Sequence, residues 1–257
     1  MSFNDFGRST GIVETSNANQ YREILGNEFY RQIWLSTLRL TVQAAALTVG
    51  IGAVVAYGMW RSGPRLRGIL TAVILAPLLV SGVARAYGWI AVAGPNGPWE
   101  ALTARIGLDD VQIIFNERSV MLGFIHVFMP FAVMLVLVRL DAVKPSVIRA
   151  AQDLGGTSLT VIRRVLFPAA SPALVSGFLL VFALATASYA IPAVLGGGRV
   201  VTIAEVIYTN QAVTFNWPRA SALAIALTVL TVIIMAAYQR IAGARSRRQA
   251  ALVGGAV

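Results

Sequence analysis

The chain has 257 residues, of which 57% are hydrophobic and only 12% charged, with a formal net charge of +10. Its mean hydropathy is +0.71. A soluble domain carries about a quarter charged residues, so this composition excludes a globule wetted on all sides. With no cysteine and one histidine, His126, it also excludes disulfides, thiolate chemistry, iron–sulfur clusters and His-rich metal centres.

Residues 1–32 form a polar segment of mixed charge. No apolar run follows Met1, so the segment is not a signal peptide. A hydrocarbon core of roughly 30 Å needs about 20 mostly apolar residues in helix. Five segments meet that need, at 33–59, 69–93, 119–138, 172–195 and 220–241. Each is rich in Gly, Ala, Ser and Thr, as in AAALTVGIGAVVAYG (44–58), and small residues let helix backbones approach closely. The predicted fold is an all-α polytopic membrane bundle occupying 33–241, followed by a basic tail at 242–257.

Basic residues set the orientation, since they accumulate in cytoplasmic loops. One side holds twelve: Arg61, Arg65, Arg67, Arg139, Lys144, Arg149, Arg163, Arg164, Arg240, Arg245, Arg247 and Arg248. The other holds seven, together with nine acidic residues. The polar N-terminal segment is therefore expected outside, and both 139–171 and the tail in the cytoplasm. The tail RSRR (245–248) reads as a topology anchor, with no nucleic-acid partner. Thirty-two polar residues outside with no span before them imply either unaided translocation or an upstream span missing from this sequence.

Arg85 is the charge set well inside an apolar run. Such a residue is costly and faces a partner, water or substrate rather than lipid. Arg39 and Gln43 share one face of the first span, Arg39 near its outer boundary. His126 reads as a packing histidine, because no Asp or Glu lies within the spans to relay protons with it. Trp89, Trp99 and Trp217 fall near outer boundaries, where indole rings prefer the interface. Asp109-Asp110 reads as a solvated turn before the strand-like VQIIF. The fourth span ends in TASYAIPAVLGGGR (186–199), where Pro192 frees a carbonyl and the glycines permit tight turns. Broken helix at that depth is tolerated where it lines a cavity.

The most informative stretch is cytoplasmic, RLDAVKPSVIRAAQDLGGTSLTVIRRVLFPAAS (139–171). Pro145 suits a first helical turn. Val147, Ile148, Ala151 and Leu154 make one apolar stripe, and Gly155-Gly156 stops the helix in a left-handed cap. A second helical segment, Ser158–Val165, is expected to stop before Pro168. The apolar face of this helix–turn–helix needs either a protein partner or the membrane surface.

RAAQDLGGTSLTVIRRVLFP (149–168) resembles the EAA loop of the inner-membrane subunits of binding-protein-dependent ABC importers. Ala150, Ala151, Gly155 and Pro168 match at the family spacing, and Asp153-Leu154-Gly155 is its common local form. Arg149 stands where the family usually has Glu, which removes any ion pair that the Glu would make. ARAYGWI (84–90), FMPF (128–131), PAVLGG (192–197) and NWP (216–218) resemble the spermidine/putrescine-type permease subfamily. NQYREILGNEFYR (19–31) is similar to the outer loop after that subfamily's first span, so the missing helix would be the first of its usual six.

The resemblance implies a multi-pass permease subunit in a bacterial cytoplasmic (inner) membrane. Its partners would be a cytoplasmic ATPase pair, a second permease subunit, an extracytoplasmic solute-binding protein and lipid. Arg149, Ala150, Ala151, Asp153, Leu154, Gly155 and Pro168 would form the ATPase-coupling loop. Arg85, Ser188, Tyr189 and Pro192 are candidates for the substrate path. The chain lacks the G-x-x-x-x-G-K-[ST] phosphate loop, so it is expected to be no enzyme, with no catalytic residue, metal or cofactor. The solute is polyamine-like by resemblance. Ser188 stands where polyamine-type relatives often carry an acid, and with Arg85 this favours an anionic or zwitterionic solute. The competing class is an ion-coupled secondary transporter, which needs intramembrane ionisable residues and inverted repeats. A membrane enzyme would need a polar cluster at the surface, and Asp109-Asp110 is the nearest to one.

Overall fold

The computed structural model describes residues 5–7, 11–13, 21, 24, 26–105 and 113–254, with the backbone alone for 5–7, 11–13 and 241–254. Asp109-Asp110, the start of VQIIF and most of the N-terminal segment lie outside the described residues. The chain divides into two units, Ile33–Glu205 and Met1–Gln32 with Val206–Val257.

In the smaller unit, strands β1 (Asp5–Gly7) and β2 (Gly11–Val13) pair antiparallel with Phe6 opposite Ile12. Helix α11 (Trp217–Gly254) contains the fifth apolar segment and continues through the basic tail.

The larger unit takes in most of α1 (Glu28–Arg61), which starts earlier than the 33 expected from apolar content. Then come α2 (Pro64–Leu75), a 3-10 turn (Ala76–Leu79), α3 (Gly82–Ala93) and α4 (Pro98–Arg105). Helix α5 (Glu117–Asp141) leads to the short helices α6 (Pro145–Asp153) and α7 (Ser158–Val161). A π turn (Ile162–Leu166) joins α7 to α8 (Phe167–Ala187), and α9 (Ala190–Leu195) and α10 (Ile203–Ala212) follow. Among the described residues four helices are long and apolar enough to cross a membrane, five if the bent pair 64–105 counts as one.

Two expected spans are not straight. The segment 69–93 is bent by 103° between α2 and α3. Pro77 cannot donate to the helix ladder, Val80 is extended, and the Ser81 side chain accepts from the Ala84 N–H at 3.2 Å, which caps a new helix. The segment 172–195 breaks at Ser188, whose ψ of 120° is extended, just before Pro192. The expected stop before Pro168 does not occur. The Phe167 N–H reaches back to the Ile162 carbonyl, a widened turn that carries the chain past the proline, so 158–187 is continuous helix.

Helix α5 runs against α8, α9, α2 and α3, and close approach depends on small residues. A Cβ at Gly52 of α1 would lie 2.9 Å from the Ala132 Cβ of α5. A Cβ at Gly177 of α8 would meet Val49 and Leu135. Ion pairs join both ends of α5 to neighbours: Arg39 of α1 to Glu117, and the guanidinium of Arg67 in α2 bidentately to Asp141, one bond being 2.9 Å. Arg39 and Glu117 thus share one end of the bundle, and Arg67 and Asp141 the other, as the alternation of spans requires.

The Gly52 seam is testable. Gly52→Leu should cost about 1–3 kcal/mol by overpacking α1 against α5, read as a lower midpoint in an SDS unfolding titration, whereas Gly50→Leu, with open space at its Cβ, should leave the midpoint unchanged.

Candidate functional site

The candidate coupling loop is built from capping chemistry. Pro145 begins α6 with its missing N–H in the first turn. At the other end Gly155 has φ +79°, its N–H bonds the Gln152 carbonyl at 2.9 Å, and the Gly156 N–H bonds the Ala151 carbonyl at 3.0 Å. These paired bonds make a Schellman cap. The Thr157 side chain then accepts from the Thr160 N–H and starts α7.

The expected apolar stripe of α6 divides in two. Ile148 and Ala151 pack on a cluster built from Ala56, Met59, Val136, Leu140, Val161 and Leu166. Val147 and Leu154 point away, 48% and 89% exposed, with Leu159 of α7 at 56%. Arg149, Ala150 and Asp153 are exposed as well, and neither charge enters an ion pair among the described residues. Pro168 lies at the start of α8 beyond the π turn. A cleft of about 180 Å³ separates the end of α1 from α6 and α7, lined by Tyr57, Trp60, Arg61, Ile148, Gln152 and Ser158.

A second group of residues collects where the two broken spans meet. Helix α3 packs against α9, and α9 also packs on α5. The Leu195 carbonyl at the end of α9 accepts from the Phe115 N–H at 3.0 Å and the Ser119 hydroxyl at 2.8 Å. Gly197, at φ +57°, passes so close to the Phe115 ring that a Cβ would lie 2.5 Å from it. Of the expected path residues, Arg85 is on α3 and Pro192 on α9, while Ser188 and Tyr189 form the break before α9.

Trp89 is not simply an interfacial ring. Its indole N–H donates to His126 Nδ1 at 3.1 Å across α3 and α5, with the rings edge-on at 5.7 Å. His126 is therefore held by packing and one hydrogen bond. Arg85 lies one turn before Trp89 on the same helix. Its Nε and Nη1 are buried and have no hydrogen-bond partner among the described residues.

The family model for the binding-protein-dependent transport system inner membrane component matches residues 26–247. The chain belongs to that family. It is an ABC importer permease subunit of the inner membrane. It is similar to the spermidine/putrescine transport system permease protein PotB of Haemophilus influenzae, 27% identical over 84% of this chain and 76% of that one. PotB of Escherichia coli is 23% identical over 86% and 81%, and the E. coli inner membrane ABC transporter permease protein YdcU 24% over 78% and 68%. Among solved structures, a bacterial alginate ABC transporter complex matches with a TM-score of 0.74 at 16% identity, covering 88% of this chain and 82% of that one. An inward-facing MetNI methionine transporter matches at 0.66 and 19%, covering 85% and 98%. At these identities the structures share the fold.

The permease holds one further acid that the sequence did not single out. Glu205, in the first turn of α10, has its Oε2 buried without a hydrogen-bond partner among the described residues. Burial raises its pKa above the ordinary carboxylate value, against a smaller opposing effect of the Thr202 backbone. The signal was an acid embedded in apolar TIAEVIY. A raised folded-state pKa means that the protonated form is favoured, so this contribution is complete below the usual carboxylate range and is lost as pH rises through the raised value. Glu205→Gln should therefore raise the melting temperature of the purified permease more at pH 8 than at pH 5. Equal shifts at both pH values would contradict that sign.

Proposed function

We propose that α6 is the element through which this permease engages its ATPase. The observation that carries this reading is the exposed outer edge of α6, Val147 and Leu154, on a helix fixed at both ends and seated on the bundle through Ile148 and Ala151. A helix resting on lipid would turn its apolar edge to the membrane. Here the two best-buried apolar residues of α6 pack on the protein's own helices, and the outer edge is left for a partner. Arg149, in the position usually held by Glu, offers that partner a cation and a planar donor fork.

In this proposal two ATPases close on ATP and move α6, a second permease subunit completes the path, and a solute-binding protein delivers a small hydrophilic solute to the outer face. The breaks at Val80–Ser81 and Ser188–Tyr189 line the path, since irregular backbone at membrane depth belongs beside a cavity. ATP hydrolysis is the partner's chemistry. The loop charges place 139–171 inside and the connection between α10 and α11 outside.

Gly155 tests the coupling. A β-branched residue at its positive φ is strained by about 1–3 kcal/mol, although open space surrounds its Cβ. Gly155→Val should insert normally yet retain little ATPase on purification and show reduced transport-linked ATP hydrolysis. Full retention with normal uptake would remove α6 from the interface. Orientation has its own test: in intact spheroplasts an impermeant thiol reagent should label Thr214→Cys, and label Lys144→Cys only after permeabilisation.

A further inference from the structure

The region where the two broken spans meet holds a charge that no described residue of the chain answers. Within the larger unit Arg85 is the cation placed inside an apolar span, and no described carboxylate pairs with it. Exposed guanidinium groups can leave N–H groups to water, but Nε and Nη1 here are shielded from solvent. Shielded donors of a charged group left without a partner are costly, and no described residue of the chain compensates them.

The neighbours of Arg85 define what that group must be. The Trp89 indole nitrogen can only donate, and it donates to His126 Nδ1. The imidazole Nδ1 must then be the unprotonated acceptor, which leaves the ring proton on Nε2. Arg85, a turn away on α3, contributes donors only. The three side chains therefore offer N–H groups and a positive charge, and their one acceptor is already used. A polyamine, itself a bearer of ammonium donors, finds neither a free acceptor nor an opposite charge among these three side chains. A carboxylate or phosphate finds both.

We infer that Arg85, with His126 oriented by Trp89, forms an oxyanion-binding point on the translocation path, so that the solute carried by this permease bears a carboxylate or phosphate group. The inference rests on the permease reading above and adds the solute's class. The planar fork of Arg85 suits bidentate binding of either group. The Trp89–His126 bond fixes which imidazole nitrogen can donate. The location follows from the packing of α3 on α9, because α3 starts at one break and α9 at the other.

The single histidine of the chain makes the site directly observable. The assembled importer, labelled with [15N]histidine and held in nanodiscs, is followed by solid-state NMR, with the His126 signal identified by its loss in His126→Gln. Glutamate, citrate, glycerol 3-phosphate and putrescine are titrated separately. At least one of the three oxyanions should shift the His126 ring resonances saturably, and putrescine should not. Arg85→Gln should weaken that response about tenfold or more, as expected for a lost hydrogen bond to a charged group, and Arg85→Lys should weaken it less. No response to any of the three oxyanions overturns the inference. A saturable response to putrescine, or an oxyanion response unchanged in Arg85→Gln, overturns it equally. Retention of the ATPase is scored on the same sample, so a complex that keeps its ATPase and gives no oxyanion response loses this site while the coupling proposal stands.

Discussion

Close approach of helices in a solvent as apolar as their own side chains is the constraint on which this unit depends. In lipid, burial of leucine against leucine gains little over leucine against acyl chains, so association must come from tight van der Waals contact and from hydrogen bonds. Helix α5 meets that need with Ala132 against Gly52 and Leu135 against Gly177. Polar side chains then fix what small residues allow. The Ser119 hydroxyl holds the end of α9, and the Thr37 hydroxyl of α1, itself buried, accepts the Ile203 N–H at the start of α10 at 3.1 Å. Ion pairs at either end of α5 set its depth against α1 and α2, where exposed pairs contribute position more than stability.

What was legible in the sequence was whatever a local rule encodes. Apolar length located the spans, because every crossing must satisfy the same thickness. Pro145 and Gly155-Gly156 bounded α6, because proline and a left-handed glycine have fixed conformational meanings. The break at Ser188 followed from Pro192. The break at Val80–Ser81 was not legible in the same way, since Pro77 and Ser81 are both tolerated in membrane helices and their joint effect depends on what packs around them. The continuation of helix past Pro168 was hidden for a related reason. A π turn has no signature in composition, and only the reach from Phe167 to Ile162 shows how the proline is absorbed.

The candidate site divides along the same line. Arg85 stood out because charge in an apolar run is rare, yet its relation to His126 runs through Trp89, whose hydrogen bond to the imidazole spans 37 residues of sequence. Trp89 was hidden by its own plausibility: an indole near a boundary already has a sufficient reason to be there. Sequence reading gave α6 one apolar stripe, and the structure divides that stripe between the bundle and solvent. Periodicity reports that a face is apolar. It does not report which part of the face is already taken.

These two sites lie at opposite ends of one continuous element. From Ser158 to Ala187 the chain is helical for 30 residues, about 45 Å at the usual rise. One end shares an apolar cluster with Ile148 and Ala151 of α6, and the other stops at Ser188, beside the helix that packs on α3. A displacement of α6 is thus borne by side chains already in contact with α7 and the π turn, and a helix is stiff along its axis. The compliant points are the π turn at one end, where the hydrogen-bond pattern is widened, and the extended Ser188 at the other. Between them Ala170, Ala173 and Gly177 lie along α8, with Ala173 in that apolar cluster and Gly177 against Val49 and Leu135. Small side chains on a helix face leave few interlocking projections to resist sliding. A rod that is stiff along its length, flanked by small residues and compliant at both ends, would carry an axial displacement as a unit. The segment it would move is the one that holds Tyr189 and Pro192 against the helix bearing Arg85.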